Sequence, residues 1–267
     1  MRAAIILAKR YFFALACCLY LFTLGWLRGR NRALMAAICS HFGLETRMVE
    51  LALPEIRIEE LLGDAHPVRI PEPTPQDGNV SALELLVIAG LVVACAPQRC
   101  FEFGTFDGRT ALTLAANCSP GARVFSLDLP VDQLETTGLS LERADRAYVA
   151  KPLIGARLGG RPGSERVTQL LGDSATFDFS PYYQLIDVVF IDGAHAYDYV
   201  LSDSRQALKM LRLERGIILW HDYGGWPGVT RALNHLHATD PEFSSLRRIA
   251  GTSLACLIRG EGVQRVS

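Results

Sequence analysis

RCFEFGTFDGRTALTLAANCSPGARVFSLD, residues 99–128, decides the fold. Arg99 to Phe103 is a short apolar run that reads as a strand, and a glycine turn follows it. The segment from about Thr110 to Asn117 has helical periodicity. Pro120-Gly121 then turns the chain into a second strand, Arg123 to Leu127, ending at Asp128. Two strands joined through a helix are parallel, and a parallel sheet needs helices to cover it.

The turn itself, Glu102-Phe103-Gly104-Thr105-Phe106-Asp107-Gly108, has the pattern E-x-G-x-x-x-G. Gly104 removes the side chain where the backbone must bend and approach a ligand, and Gly108 permits close strand–helix contact. Thr105 lies in the same turn. Asp128 ends the next strand about twenty residues after Gly108, where an acidic side chain can accept both hydroxyl hydrogens of a ribose. Each signal alone is also ordinary structure; together they favour an adenosyl ligand. A dinucleotide site wants G-x-G-x-x-G facing a pyrophosphate. Here Glu102 stands at the first glycine, and a carboxylate suits a cationic amino-acid tail and sulfonium instead.

Outward from this unit the alternation continues. Strands are expected at Val167–Leu171, Ile186–Ile191, Gly216–Trp220, Leu246–Ile249 and Leu254–Ile258. Helices are expected at Leu83–Ala96, Tyr197–Leu211 and Val229–His237. The predicted fold is α/β: a doubly wound, Rossmann-like sheet of about seven strands with helices on both faces. In such a sheet ligands bind beyond the carboxyl ends of the strands. Gly172-Asp173-Ser174 ends one strand and can meet an adenine edge, or form a plain Asx turn. Asp192-Gly193-Ala194-His195 ends the next, and His221-Asp222-Tyr223 the one after. Two carboxylates and two imidazoles on one edge can hold a divalent cation or supply a general base. Residues 148–163, glycine-rich and carrying Arg157 and Arg161, are a candidate lid, or a surface insertion.

The expected division is 1–30, a hydrophobic helix; 31–78, a helical segment and a linker with Pro67, Pro71, Pro73 and Pro75; and 79–260, the catalytic domain. Arg2, Lys9 and Arg10 precede an uncharged stretch from Tyr11 to Leu27, and Arg28, Arg30 and Arg32 follow it. A spanning helix needs roughly 17–25 apolar residues, so residues 11–27 sit at the lower limit of a membrane anchor. A helix packed on the domain or on a partner copy is the other reading. The net charge of −1 argues against a nucleic-acid partner. Seven cysteines with no C-x-x-C pair read as free thiols of a reducing compartment. A cytoplasmic catalytic domain follows, at the inner face of a membrane if the anchor reading holds, with homo-oligomer formation left open.

Glu102-Phe103-Gly104-Thr105, Phe190-Ile191-Asp192-Gly193-Ala194-His195 with Tyr197 and Asp203, and Gly216 to Asp222 resemble the motifs of the family-24 type class I methyltransferases. The resemblance covers about residues 80–258. It implies S-adenosylmethionine as cofactor, held by Glu102, Gly104, Thr105, Gly108, Asp128, Asp173, Ser174 and Asp192. It also implies a likeness in layout to catechol-type O-methyltransferases, in which acids at the positions of Asp192 and Asp222 bind magnesium. Tyr223 stands where the catechol-type pattern has an asparagine, and His221 departs from it too. The expected reaction is O-methylation of a small-molecule or glycan hydroxyl, with Asp192, His195, His221 and Asp222 as catalytic residues. Mg2+ or another divalent cation, or a histidine base, assists. A nicotinamide-dependent oxidoreductase, disfavoured by Glu102, and a membrane-tethered non-catalytic scaffold are the alternatives.

Overall fold

The computed structural model describes residues 2–28, 31, 34, 35, 38, 39, 49–63, 67–76, 78–150, 154–213 and 215–260. It comprises two compact units, residues 1–48 and 49–267. In the first, a helix runs Arg2–Thr23 and passes into a 3-10 turn at Gly25–Leu27. Side chains from Ile5 to Tyr20 are exposed on every face of that helix, Leu7, Phe12, Phe13 and Leu19 among them. Much of the helical expectation for residues 31–62 falls outside the described residues.

The second unit is built on eight strands: β1 (Glu55–Ile56), β2 (Arg99–Phe103), β3 (Arg123–Asp128), β4 (Val167–Leu171), β5 (Val188–Ile191), β6 (Gly216–Trp220), β7 (Arg247–Ile249) and β8 (Ala255–Arg259). Their order is β1-β7-β8-β6-β5-β2-β3-β4. Strands β6, β5, β2, β3 and β4 run parallel, and β8 is antiparallel to both β6 and β7. Winding reverses between β2 and β5, the position that opens a crevice above their carboxyl ends. At the opposite end of the same seam the Asp187 carboxylate accepts hydrogen bonds from the Gln98 and Arg99 N–H groups, both at 2.9 Å. Seven of the eight strands answer to the sequence pattern. The eighth, β1, forms the edge of the sheet and pairs in parallel with β7 through Glu55 and Ile56; two residues are too few to show a periodicity.

Alternation along each strand divides the core. In β5, Val188 and Phe190 join Leu85, Ile88, Leu91 and Leu114 on one face. Val189 and Ile191 join Val200, Ala207, Leu233 and Leu236 on the other. Helices Ala82–Cys95 and Arg109–Asn117 cover the first face, and Tyr197–Met210 and Pro227–Thr239 the second. Helix Ala82–Cys95 starts at a capping box, Ser81 accepting from the Glu84 N–H while Glu84 accepts from the Ser81 N–H. The proline-rich stretch holds no helix, and Arg109 fastens it by donating to the carbonyls of Glu72 (2.7 Å), Pro73 (3.2 Å) and Val80 (2.8 Å). Between β3 and β4 lies a short helix, Arg143–Val149, with turns on both sides.

Candidate active site

A cavity of about 290 Å³ opens over the carboxyl ends of β2, β3 and β5. Gly104, Asp128, Asp173, Ser174, Asp192, His195, His221 and Asp222 all line it. Glu102, Thr105 and Gly108 do not.

Gly104 has φ 90°, and a Cβ there would collide with the Asp192 carbonyl. Its missing side chain lets the turns after β2 and β5 touch. Gly108 also has φ 90°, but a Cβ on it would meet Leu158 Cγ at 2.8 Å, so that glycine makes room for the 154–161 loop. The same loop is tied down by Gly155 N–H to the Phe106 carbonyl, 2.7 Å, and Arg157 N–H to the Asp107 carbonyl, 2.8 Å. Arg157 further pairs with Asp107 at 2.9 Å and Glu72 at 3.4 Å. The candidate lid is latched onto the glycine turn.

Asp128 is held by the N–H of Phe106 at 2.7 Å and of Leu129 at 2.9 Å. Burial outweighs these bonds and pushes its carboxyl up to about 6. Phe106 reaches Asp128 from a left-handed backbone, φ 47°.

Glu102 corrects a sequence expectation. It is fully buried opposite Ser126 in the β2–β3 pair and accepts a hydrogen bond from that hydroxyl, which also meets Thr105 Oγ1 at 2.7 Å. Burial raises its carboxyl well above the carboxylate range, against the Ser126 hydrogen bond and with the neighbouring charges of Asp192, Asp128 and Asp107 adding to the shift. Enclosed between the strands and outside the cavity wall, the Glu102 side chain faces neither a cationic tail nor a pyrophosphate. What separates this sheet from the dinucleotide order 3-2-1-4-5-6 is the antiparallel β8 between β6 and β7.

Asp173 is likewise committed. Oδ1 accepts from the Ala175 N–H (3.0 Å) and the Tyr199 hydroxyl (2.8 Å), and Oδ2 from the Gly138 N–H (2.7 Å).

The four strand-end groups do converge. His221 Nδ1 lies 2.9 Å from Asp192 Oδ1 and 3.2 Å from Asp222 Oδ2, and its Nε2 is 3.4 Å from Glu84 Oε2. His195 Nε2 is 2.9 Å from Asp222 Oδ2, and its Nδ1 2.5 Å from Asp145 Oδ1. The His195 ring stacks on Trp226, centroids 4.1 Å apart. Asp222 is itself left-handed, φ 65°. Burial opposes the imidazolium of His195, but Asp145 and Asp222 prevail and its pKa is pushed up to about 10. His221 is raised further still by Asp192, Asp222 and Glu84, again against burial. Burial also opposes ionisation of Asp222, and its bonds to both histidines hold it well below the usual range.

Asp145, Glu84 and Trp226 are the participants the sequence reading missed. Glu84 had a signal, the S-x-x-E of residues 81–84. Asp145 had none, because its partner lies 50 residues away.

Residues 101–223 match the family model Methyltransf_24, described as a methyltransferase domain. The chain carries a methyltransferase domain. Three solved structures resemble it in part. The O-methyltransferase TomG from Streptomyces achromogenes, in complex with SAM, is 20% identical (TM-score 0.48) over 69% of this chain and 83% of that one. Cofactor-bound Rv0187 from MTB is 19% identical (TM-score 0.49; 68% and 83%). The O-methyltransferase from Bacillus cereus, in complex with SAH, is 18% identical (TM-score 0.46; 69% and 84%). No curated protein matches the chain. Within the methyltransferase domain, the matched segment runs from β2 to Tyr223 and so contains both the glycine turn and the acid–imidazole cluster.

Proposed function

We propose that the methyltransferase domain takes S-adenosylmethionine as methyl donor and methylates a hydroxyl of a small molecule or glycan, with a divalent cation at Asp192, His221 and Asp222. The observation that carries this reading is one cavity with Gly104 and Asp128 in its wall and the acid–imidazole cluster in the same wall. Asp128 is fixed by two backbone N–H groups and retains acceptor capacity for ribose hydroxyls. The cofactor supplies an activated methyl group, which leaves the protein to align the acceptor and manage its proton.

The donor set supports a cation. One ligand atom each from Asp192, His221 and Asp222 lies within 4.8 Å of the others. Glu84 lies beside the far nitrogen of His221, as expected of a carboxylate that orients a ligand imidazole. A histidine among the ligands favours manganese, zinc or a similar ion over magnesium, which prefers oxygen alone. Four carboxylates and two histidines around the cluster leave it formally negative even with both rings charged. A bound cation lowers the pKa of a coordinated hydroxyl. Both ring nitrogens of His195 are already engaged by carboxylates, Nδ1 by Asp145 and Nε2 by Asp222, which supports the cation over the histidine route. Trp226 and the His195 ring form a flat wall against which an acceptor ring can stack.

Calorimetry with S-adenosylmethionine and S-adenosylhomocysteine, with and without Mn2+, tests the proposal. Asp192→Ala and Asp222→Ala should each lose turnover by about 10²-fold or more while cofactor affinity stays within a few-fold. Full activity in chelator would remove the cation from the reading.

The exposed apolar helix Arg2–Thr23 supports attachment to a bilayer. Twenty-two residues make about 33 Å of helix, near the thickness of the hydrocarbon core. Lys9 and Arg10 fall inside it, about 10–12 Å from its first residue, and their stems carry the charges part of the way towards an interface.

A further inference from the structure

Asp192, His195, His221 and Asp222 follow strands β5 and β6, and Glu84 lies in the first turn of helix Ala82–Cys95. Asp145 reaches the same cluster from elsewhere, the connection between β3 and β4, where it lies 4% exposed on helix Arg143–Val149. It is not one of the groups whose ligand atoms converge. Both its oxygens serve one residue: Oδ2 accepts from the His195 N–H at 3.1 Å, and Oδ1 lies 2.5 Å from His195 Nδ1. Backbone and ring of His195 are thus fixed together, and Trp226 stacks on the ring face at 4.1 Å. The segment carrying Asp145 has other anchors, the Gly138 N–H on Asp173 at 2.7 Å and the Tyr148 ring edge-on to Phe106. Loss of this carboxylate therefore releases His195 rather than the helix.

The far end of the fixed ring meets Asp222, Nε2 lying 2.9 Å from Oδ2. Asp222 needs holding. Its backbone is left-handed, φ 65°, which a residue other than glycine keeps only where its surroundings impose it. The Gly225 and Trp226 N–H groups, each 3.0 Å from the Asp222 carbonyl, secure the main chain and leave the carboxylate to the two imidazoles. Each of those rings has a carboxylate behind it, Glu84 for His221 and Asp145 for His195. A carboxylate behind a ring sets the ring's orientation, and with it the group that the ring touches.

We propose that Asp145 is a positioning residue that acts through His195 to aim the Asp222 carboxylate at the cation. This rests on the cation being bound at Asp192, His221 and Asp222. Calorimetric titration of the full chain with Mn2+ tests it in a double-mutant cycle. Asp145→Asn and His195→Ala should each weaken Mn2+ binding about 10–100-fold. The double variant should match His195→Ala alone within about two-fold, because Asp145 then has nothing left to act on. A merely structural aspartate would leave Mn2+ affinity alone, and one that attracts the cation through space would add its loss to that of His195→Ala. Additive losses, or wild-type Mn2+ affinity in a folded Asp145→Asn, overturn the assignment. So does tighter Mn2+ binding in His195→Ala, which would mean that the ring repels the cation rather than seating its ligand. Should Asp145→Asn fail to fold, Asp145→Glu, which keeps the charge but displaces it by a methylene, takes its place in the same cycle. Absence of any Mn2+ binding by the wild-type chain would instead bring down the cation reading itself, and this assignment with it.

Discussion

At Gly104 a hydrogen in place of a side chain lets two strand-end turns touch. Gly104→Ala should therefore destabilise the domain by about 3 kcal/mol or more, since the new Cβ meets the Asp192 backbone in a left-handed conformation. A thermal melt of the variant without ligand checks this, and an unchanged melting temperature would show that the turns can separate freely. Asp128 gives a prediction in pH. Its folded pKa of about 6 lies above the ordinary 3.8, so ionisation costs stability as pH rises through 6. Ribose hydroxyls favour the ionised form, so affinity for S-adenosylhomocysteine should fall as pH drops below 6. In Asp128→Asn it should be weaker and flat across that range. The residue types at these positions were legible in the sequence. Their reasons were not: Gly104 serves a backbone crossing from a strand almost ninety residues later in the chain, and Glu102 is taken out of the cavity wall by burial that a sequence does not display.

Among the elements, helix Ala82–Cys95 joins local and catalytic structure through Glu84. That carboxylate closes the capping box, accepts the Ser253 N–H at 2.8 Å and hydroxyl at 2.7 Å, and lies 3.4 Å from His221 Nε2. Burial opposes its ionisation, and its bonds to His221 and Ser253 win and lower its pKa. Ser81→Ala should cost about 1 kcal/mol and leave turnover alone. Glu84→Gln should cost stability as well and also weaken cation affinity about 10–100-fold, because His221 loses its orienting partner. Equal cation affinity in the two variants would reduce Glu84 to a cap. The core strands were readable because continuous apolar runs survive without context. Strand β1 and the Asp145–His195 contact depend on partners far along the chain, and no local pattern announces them.

At the scale of the whole molecule, the full chain should partition with membranes, and protein lacking residues 1–30 should stay in solution and still bind S-adenosylhomocysteine. Soluble, monodisperse full-length protein without detergent would count against a bilayer as the helix's environment.

The seam between β2 and β5 also has a kinetic meaning. Arg99 and Asp187, which close its lower end, are 88 residues apart, so the crevice forms only after a long loop has closed. Whatever occupies the upper end bridges two halves of the chain that met late. Native-state hydrogen exchange should find the β2–β5 amides opening before those of β6 and β8 in Asp187→Ala. Saturating S-adenosylhomocysteine should restore their protection. The occupant of the crevice would then be the last strut of the fold as well as its cargo.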